Sequence, residues 1–354
     1  MSQVVDQLAE LTAFRDRDVV DTTLVTSLRD LLRPLVVTIY RAVGDDQDRR
    51  WFKRACLALH DVAASSDPSW TDMQDLPRLD TMPLHVLCMQ QQASLAQPGS
   101  PYITVFPLLT DRDVWGVLEV CTEEALDVTE HRLVAGILSV YRNFQALLDY
   151  SERDTLTGLL NRKTFDEAFY KVAVGQSKAV LVDDNTPLAE AVAAMETERR
   201  HIDSSQPHFI GVIDIDHFKS VNDTYGHLIG DEVLLLLSRL MRSVFRFHDK
   251  LYRFGGEEFV VLMRCRTEHD AQAAFERFRH AVEGFTFPQV GRITVSVGFT
   301  VLKAGDTPSS AFERADRAVY WSKTHGRNQV FNHASLVNSG DLADDAKVGD
   351  IELF

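Results

Sequence analysis

Two consecutive glycines set between two apolar runs constrain this chain more than any other feature. Leu251 and Phe254 precede Gly255-Gly256, Phe259, Val260, Val261 and Leu262 follow, and Glu257 and Glu258 stand between. Glycine adopts backbone torsions that other residues avoid and places no side chain in a ligand's way, so the stretch from Arg253 to Val260 predicts the tip of a β-hairpin. Glu257 and Glu258 then project from a tight turn. Two adjacent anions on a rigid hairpin repel one another unless a cation stands near, and an all-oxygen donor pair is what Mg²⁺ prefers where it also holds phosphates. Alone, the same string also describes a solvated turn.

A second segment narrows the choice. The apolar run Phe209 to Ile215 reads as a strand ending in alternating carboxylates, Asp214 and Asp216. After a turn, a helix is predicted from about Asp231 to Phe245, with Val233, Leu234, Leu237, Leu240, Met241 and Val244 on one face. Acidic groups at a strand end beside the Glu257 turn make a compact divalent-metal site. Together with Asp154-Thr155-Leu156-Thr157-Gly158-Leu159-Leu160-Asn161-Arg162, Thr294-Val295-Ser296-Val297-Gly298, Ala315-Asp316 and Lys323-Thr324-His325-Gly326-Arg327-Asn328, these segments strongly resemble the GGDEF family of diguanylate cyclases, which condense two GTP into cyclic di-GMP. The resemblance runs from about Asp154 to Val330, roughly half of the chain, and rests on five motifs in order. It implies an α/β (α+β) fold like the nucleotidyl cyclase and polymerase palm.

The resemblance also implies roles, position by position. Asp214, the Ile215 carbonyl, Glu257 and Glu258 match the metal ligands for Mg²⁺, with Mn²⁺ as an alternative ion. Glu257 further matches the family's proposed base for the ribose 3′-hydroxyl, although a metal-bound carboxylate is a poor base and the ion alone can acidify that hydroxyl. Asn222 and Asp231 match the pair that reads the guanine edge, with His227 between them. Lys219 matches a residue over the phosphates, and the amides around His217, Phe218 and Lys219 can cradle phosphate oxygens. Lys323 and Arg327, four apart and expected on one helix face, match a triphosphate-binding pair. Glu257 stands where the family's namesake has aspartate, one methylene longer and still a carboxylate. Arg246-Phe247-His248-Asp249 matches the Arg-x-x-Asp product site through which these enzymes are inhibited; the alternative is a surface ion pair.

The first half reads differently. A helix from roughly Thr22 to Leu32 ends at Pro34, and strands follow at Leu35 to Ala42, Trp51 to His60, Tyr102 to Leu109 and Val114 to Cys121, the last two joined by a turn at Thr110 to Asp113. That order resembles a GAF-type sensor, an antiparallel sheet with helices on one side, with an unknown small-molecule ligand. His85, Cys88 and Met89 are expected as core or surface residues rather than as a haem or metal set. After Thr129, Val134, Ile137, Tyr141, Phe144 and Leu148 form one helical stripe and Leu133, Val140 and Leu147 another, fitting either a helix docked on its own domain or a parallel homodimer. A cyclic dinucleotide needs two half-sites facing, which favours the homodimer.

These readings divide the chain into a GAF-like sensor over 1–128, a signalling and dimerisation helix over 129–153, the cyclase domain over 154–332 and an acidic tail over 333–354, expected to fray until the apolar Ile351 to Phe354. The stretch 171–208 is longer than the family needs, and its helical segment Leu188 to Arg200 has no assigned chemistry. Cys56, Cys88, Cys121 and Cys265 lack paired spacing, which fits reduced thiols. The net charge of −15 argues against nucleic-acid binding. No apolar run approaches the ~20 residues of a membrane helix, and the charged N-terminus lacks a signal region, so a cytoplasmic location is expected. Alternatives to an active cyclase are a catalytically silent receptor for GTP or cyclic di-GMP, and a cyclase for another purine, which Asn222 and Asp231 disfavour.

Overall fold

A computed structural model describes residues 2–44, 48–68, 70–110, 113–178 and 206–343. Leu188 to Arg200 and Ile351 to Phe354 lie outside the described residues. The chain divides into two compact units, 1–151 and 152–354.

In the first unit an antiparallel sheet has strand order β2-β1-β5-β4-β3. Its strands are β1 (Val36–Val43), β2 (Arg50–Ala58), β3 (Leu95–Gln97), β4 (Tyr102–Leu109) and β5 (Val114–Thr122). Four match the sequence expectation; β3, three residues at the edge, carries too little pattern to be read. Helix α1 (Ser2–Leu11) leads into α2 (Arg17–Leu32), which starts earlier than predicted because the Asp16 carboxylate accepts the Asp18 amide at 3.0 Å. It stops where Arg33 turns left-handed ahead of Pro34. Val37, Ile39, Leu118 and Val120 face α2 and α4 (Val128–Glu152), burying Val20, Leu24, Leu28, Val134, Ile137, Tyr141 and Leu148. Trp51, Val105 and Val117 face the other way, against Cys88 of α3 (Pro83–Gln91).

Helices therefore cover both faces of this sheet, not one. His85, on α3, packs edge-on against Tyr40 and Trp51 and places Nε2 2.9 Å from Glu119 Oε2, and Cys88 is fully buried, so both are core residues. On α4 Val134, Ile137, Tyr141 and Leu148 of the first predicted stripe are buried and Phe144 is half-buried, while Leu147 is 66% exposed.

In the second unit a six-stranded mixed sheet has order β11-β10-β7-β9-β8-β6. The strands are β6 (Leu160–Asn161), β7 (His208–Ile215), β8 (Lys250–Gly255), β9 (Glu258–Arg264), β10 (Val295–Val301) and β11 (Val330–Asn332). The helices are α5 (Arg162–Lys178), α6 (Phe218–Tyr225), α7 (His227–Val244), α8 (Glu268–Gly284), α9 (Pro308–Thr324) and α10 (His333–Asn338). β7 is buried throughout because both faces of the sheet are covered. Phe209, Ile213, Phe259, Val261, Val297 and Phe299 meet α7 and α8. Ile210, Val212, Val260 and Leu262 meet Phe165 and Phe169 of α5 and Ala311, Ala315 and Val319 of α9.

Two local expectations change here. Helix α7 begins at His227, because Gly226 at φ +83° separates it from the short α6, so Asn222 and Asp231 sit on two helices rather than a turn and a helix. Residues 333–338, placed in the tail by sequence, form α10 with His333 and Leu336 buried. Among the described residues no helix is long and apolar enough to cross a membrane.

Candidate active site

Strand alternation assembles the acidic cluster. On β7 the side chains of Ile210 and Val212 point to the α5 and α9 face, so Asp214, two residues on, points there too. On β9 the same parity carries Glu258 to that face, and Asp214 and Glu258 are direct partners in the antiparallel register. Directly opposed positions bring Cβ atoms to about 5 Å, so two carboxylates share one small volume. Glu257 stands beside them in the turn, where Gly256 takes φ +52°, a conformation glycine adopts freely.

Helix α9 closes the mouth. Gly298 of β10 lies flush beneath it, since a Cβ there would stand 2.2 Å from the Ala315 carbonyl oxygen and 2.3 Å from the Val319 nitrogen. That approach, with Ala311, Ala315 and Ala318 on the helix underside, carries Asp316 and Lys323, seven residues and two turns apart, to the cluster. Lys323 Nζ lies 2.7 Å from Asp214 Oδ1.

The electrostatics follow from four carboxylates around that one ammonium. Burial raises Asp214 above the usual carboxylate range, Lys323 opposes this, and Asp216 and Asp316 push it further up. Burial and then the charge of Asp214 raise Glu257 and Glu258, while burial raises Asp316 against the pull of Lys323. Asp316 is the member to which sequence reasoning gave no role; its spacing of seven from Lys323 was the available signal. As the side chains stand, no group of three or more His, Cys, Asp or Glu among the described residues is arranged to hold a metal ion. The donors are nonetheless all oxygens in a partly buried pocket of excess negative charge, which is the chemistry a hard divalent cation takes. By residue type and strand position the cluster fits Mg²⁺ or Mn²⁺.

Asp216 serves as an anchor. Its carboxylate accepts Thr294 Oγ1 and Ser296 Oγ, both at 2.7 Å, and the Asn328 amide at 3.0 Å. It thereby holds the chain after α9, where Gly326, Arg327 and Asn328 all take positive φ. Arg327 consequently lies beyond the helix, exposed, and not on one helical face with Lys323 as predicted. The leading motif also positions the hairpin. Asp154 accepts the Thr157 amide and hydroxyl at 2.8 and 2.7 Å and Arg253 Nη1 at 3.0 Å, while Arg253 Nε and Nη2 donate to the Gly256 carbonyl at 3.1 and 2.9 Å. One guanidinium thus ties that loop to the turn bearing Glu257.

The remaining predicted residues fall on α6 and α7. His217 takes φ +59° at the N-terminus of α6, leaving the first-turn amides of Phe218 and Lys219 outside the intrahelical ladder. Lys219, His227 and Asp231 are exposed and Asn222 is half-buried. A Cβ on Gly230 would meet Asn222 Oδ1 at 2.0 Å, so a bare glycine lets Asn222 approach α7 beside Asp231. Arg246 and Asp249 follow α7, where Asp249 Oδ2 accepts the Arg246 amide at 2.8 Å. Its side chain is only 6% exposed, and burial pushes its pKa up to about 6 against that hydrogen bond and the charges of Arg246 and Arg277.

The family model described as diguanylate cyclase, GGDEF domain, matches residues 188–329. Diguanylate cyclase DgcP of Pseudomonas aeruginosa is 37% identical over 172 residues, 46% of this chain and 26% of that protein. Diguanylate cyclase DgcM of Escherichia coli is 33% identical over 198 residues, 56% of this chain and 42% of that protein. Response regulator PleD of Caulobacter vibrioides is 36% identical over 199 residues, 54% of this chain and 38% of that protein. The chain thus spans less than half the length of these curated relatives. A crystal structure of the GGDEF domain of DgcB from Caulobacter crescentus with c-di-GMP is 31% identical, covering 52% of this chain and 96% of that one at a TM-score of 0.41. Residues 188–329 are thus similar to the GGDEF domain, and the chain shares this similarity with several named diguanylate cyclases.

Proposed function

We propose that this protein is a diguanylate cyclase that joins two GTP into cyclic di-GMP with release of two pyrophosphates. The observation that carries the reading is the Asp214 and Glu258 pair, opposed in register beside Glu257. The 3′-oxygen of each GTP attacks the α-phosphorus of the other, the bond to the β-phosphate oxygen breaks, and pyrophosphate leaves. Asp214, the Ile215 carbonyl, Glu257 and Glu258 would hold Mg²⁺ or Mn²⁺, which neutralises triphosphate charge and acidifies the attacking hydroxyl.

The chain's own residues supply position. Asn222 and Asp231 orient guanine, with His227 at the rim. Lys219, Lys323, Arg327 and the amides of Phe218 and Lys219 hold phosphate oxygens, and Lys219 and Glu257 take the catalytic roles. Each domain holds one GTP, so two chains must face one another as a homodimer, and the exposed side of α4 offers a pairing surface. The first unit acts as a GAF-like sensor for a small molecule, Arg246 and Asp249 bind cyclic di-GMP as an inhibitory site, and the enzyme works in the cytoplasm, where GTP is.

Incubating the purified protein with GTP and Mg²⁺ and separating products by chromatography tests this. Cyclic di-GMP and pyrophosphate are expected, and Glu257→Ala should abolish both. Unchanged GTP together with tight cyclic di-GMP binding would replace the enzyme with a receptor. Arg246→Ala should relieve product inhibition, and inhibition left intact would remove the inhibitory assignment.

A further inference from the structure

The ammonium on Asp214 bears on how such a site fills. Lys323 Nζ sits 2.7 Å from Oδ1 of Asp214, a residue that the proposed function gives to a metal ion. A cation and an ammonium compete for one oxygen at that distance, so the two states exclude each other. Asp214 has a side chain only 10% exposed, and a carboxylate that little hydrated is held in its charged form by a nearby cation, either the ammonium or a metal ion.

We infer that Lys323 is a placeholder that closes the metal position in the nucleotide-free protein, and that an incoming triphosphate opens it by drawing Lys323 away from Asp214. The inference rests on the proposed function for the identity of the site and adds an order of loading to it.

Three observations carry it. Strand register brings Asp214 and Glu258 face to face, and the Lys323 ammonium stands against one oxygen of that pair. Lys323 lies in the last turn of α9, with a side chain 31% exposed, so its four-carbon stem is free to swing toward solvent and a bound phosphate. Finally, a triphosphate adds several negative charges that compete for the ammonium with the carboxylates around it, which draws Lys323 off Asp214 when nucleotide arrives. Thermodynamic reciprocity follows: whatever factor the nucleotide adds to ion affinity, the ion adds to nucleotide affinity.

The test is Mn²⁺ binding to the full chain, read by electron paramagnetic resonance of the free ion. Without nucleotide, Lys323→Met should bind Mn²⁺ about 10-fold tighter than wild type, and the non-cyclisable analogue α,β-methylene-GTP should tighten Mn²⁺ about 10-fold in wild type but no more than about 3-fold in Lys323→Met. Lys323→Arg keeps a cation at Asp214 and should bind Mn²⁺ as weakly as wild type. Arg162→Met removes a positive charge that acts on Glu258 without a contact to Asp214, and sets the effect of net field alone. Lys323→Met gaining no more than Arg162→Met would overturn the placeholder. Product formation is scored separately. Tightened Mn²⁺ binding with no cyclic di-GMP removes the cyclase and leaves the exchange, whereas cyclic di-GMP formation without tightening removes only the exchange.

Discussion

The protein holds two clusters of buried charge, and they are built to opposite rules. In the first unit Asp21, 1% exposed, accepts the Tyr141 hydroxyl at 2.5 Å and Arg54 Nε at 2.8 Å, and Arg54 Nη2 reaches Asp18 at 2.9 Å. A bulge makes this possible: Ile39 pairs with Ala55 and Tyr40 with Lys53, so Arg54 is the extra residue and turns toward α2. Arg17 adds bonds to Gln145 and Asp149. Donors there match acceptors, which fixes α2 and α4 on the sheet. In the second unit Asp214, Glu257, Glu258 and Asp316 surround one ammonium; burial raises all four, as it raises Asp21, so the two clusters differ in the supply of donors and not in the direction of the shift. A saturated cluster serves the fold; an under-neutralised one stores repulsion that a ligand cation relieves.

Removing the central carboxylate of each cluster tests that contrast most strongly. Asp214→Asn should lower cyclic di-GMP formation by about 10³-fold, as expected when a group holding the catalytic charge is lost. The same change should leave thermal stability equal or higher, because one of four mutually repelling anions has gone. A clear drop in melting temperature would mean that the cluster serves the fold after all. Asp21→Ala should do the reverse, costing about 3 kcal/mol through the stranded Tyr141 hydroxyl and a half-paired Arg54. Trp51, Trp70 and Trp115 lie in the first unit and only Trp321 in the second, so urea unfolding followed by tryptophan emission reports this loss.

How much of this was legible depends on whether period or approach set the geometry. Strand period placed Asp214 and Glu258 on one face, and double glycine placed Glu257 in the turn, so the acidic half of the site could be read from residue order. The Lys323 contact could not. It depends on how closely α9 settles on Gly298, a tertiary distance with no local signature, and the same helix's end moved Arg327 out of its expected register. Asp249 could be found but not weighed, since a four-residue match says nothing about burial. In the first unit the long strands showed their alternation, whereas α3 on the far face was hidden because Leu84 to Met89 is apolar without a clear helical stripe. Arg54 reaches Asp21 through a bulge, which likewise leaves no mark in residue order.

Asp249 stands between the two kinds of cluster, buried like Asp21 but with its ion-pair partner, His248 Nε2, as far off as 3.8 Å, and pH reads it. Its pKa is raised from 3.8 to about 6, chiefly by burial. The unfolded chain gives up this proton near pH 4 and the folded chain only near 6, so the group's contribution to stability is complete below about 4 and is lost as pH rises to about 6. Asp249→Asn keeps an acceptor for the Arg246 amide and removes the charge. The variant should match wild type near pH 4 and exceed it by about 2 kcal/mol above pH 6, in paired urea titrations where other groups cancel. A difference independent of pH would show that Asp249 titrates alike in the folded and unfolded chain and that burial does not raise it.

The smallest effect sharpens the meaning of saturation. Arg17 bonds Asp149 at 2.9 Å with side chains 28% and 35% exposed, so water already solvates much of that pair, and exposed pairs contribute about 0.2–1 kcal/mol. Its second bond, to the buried Gln145 at 2.7 Å, adds the expense of leaving one amide oxygen unmatched. Arg17→Met keeps the stem that packs between α2 and α4, and should lower stability by about 1 kcal/mol, a third of the Asp21→Ala loss. If the two losses were equal, the network would act as one cooperative unit from Asp149 to Arg54, and α4 would be held along its length. If Arg17→Met were silent, the hold would be confined to the Asp21 and Tyr141 contact, leaving the last turns of α4 free to move while the core of the first unit stays intact.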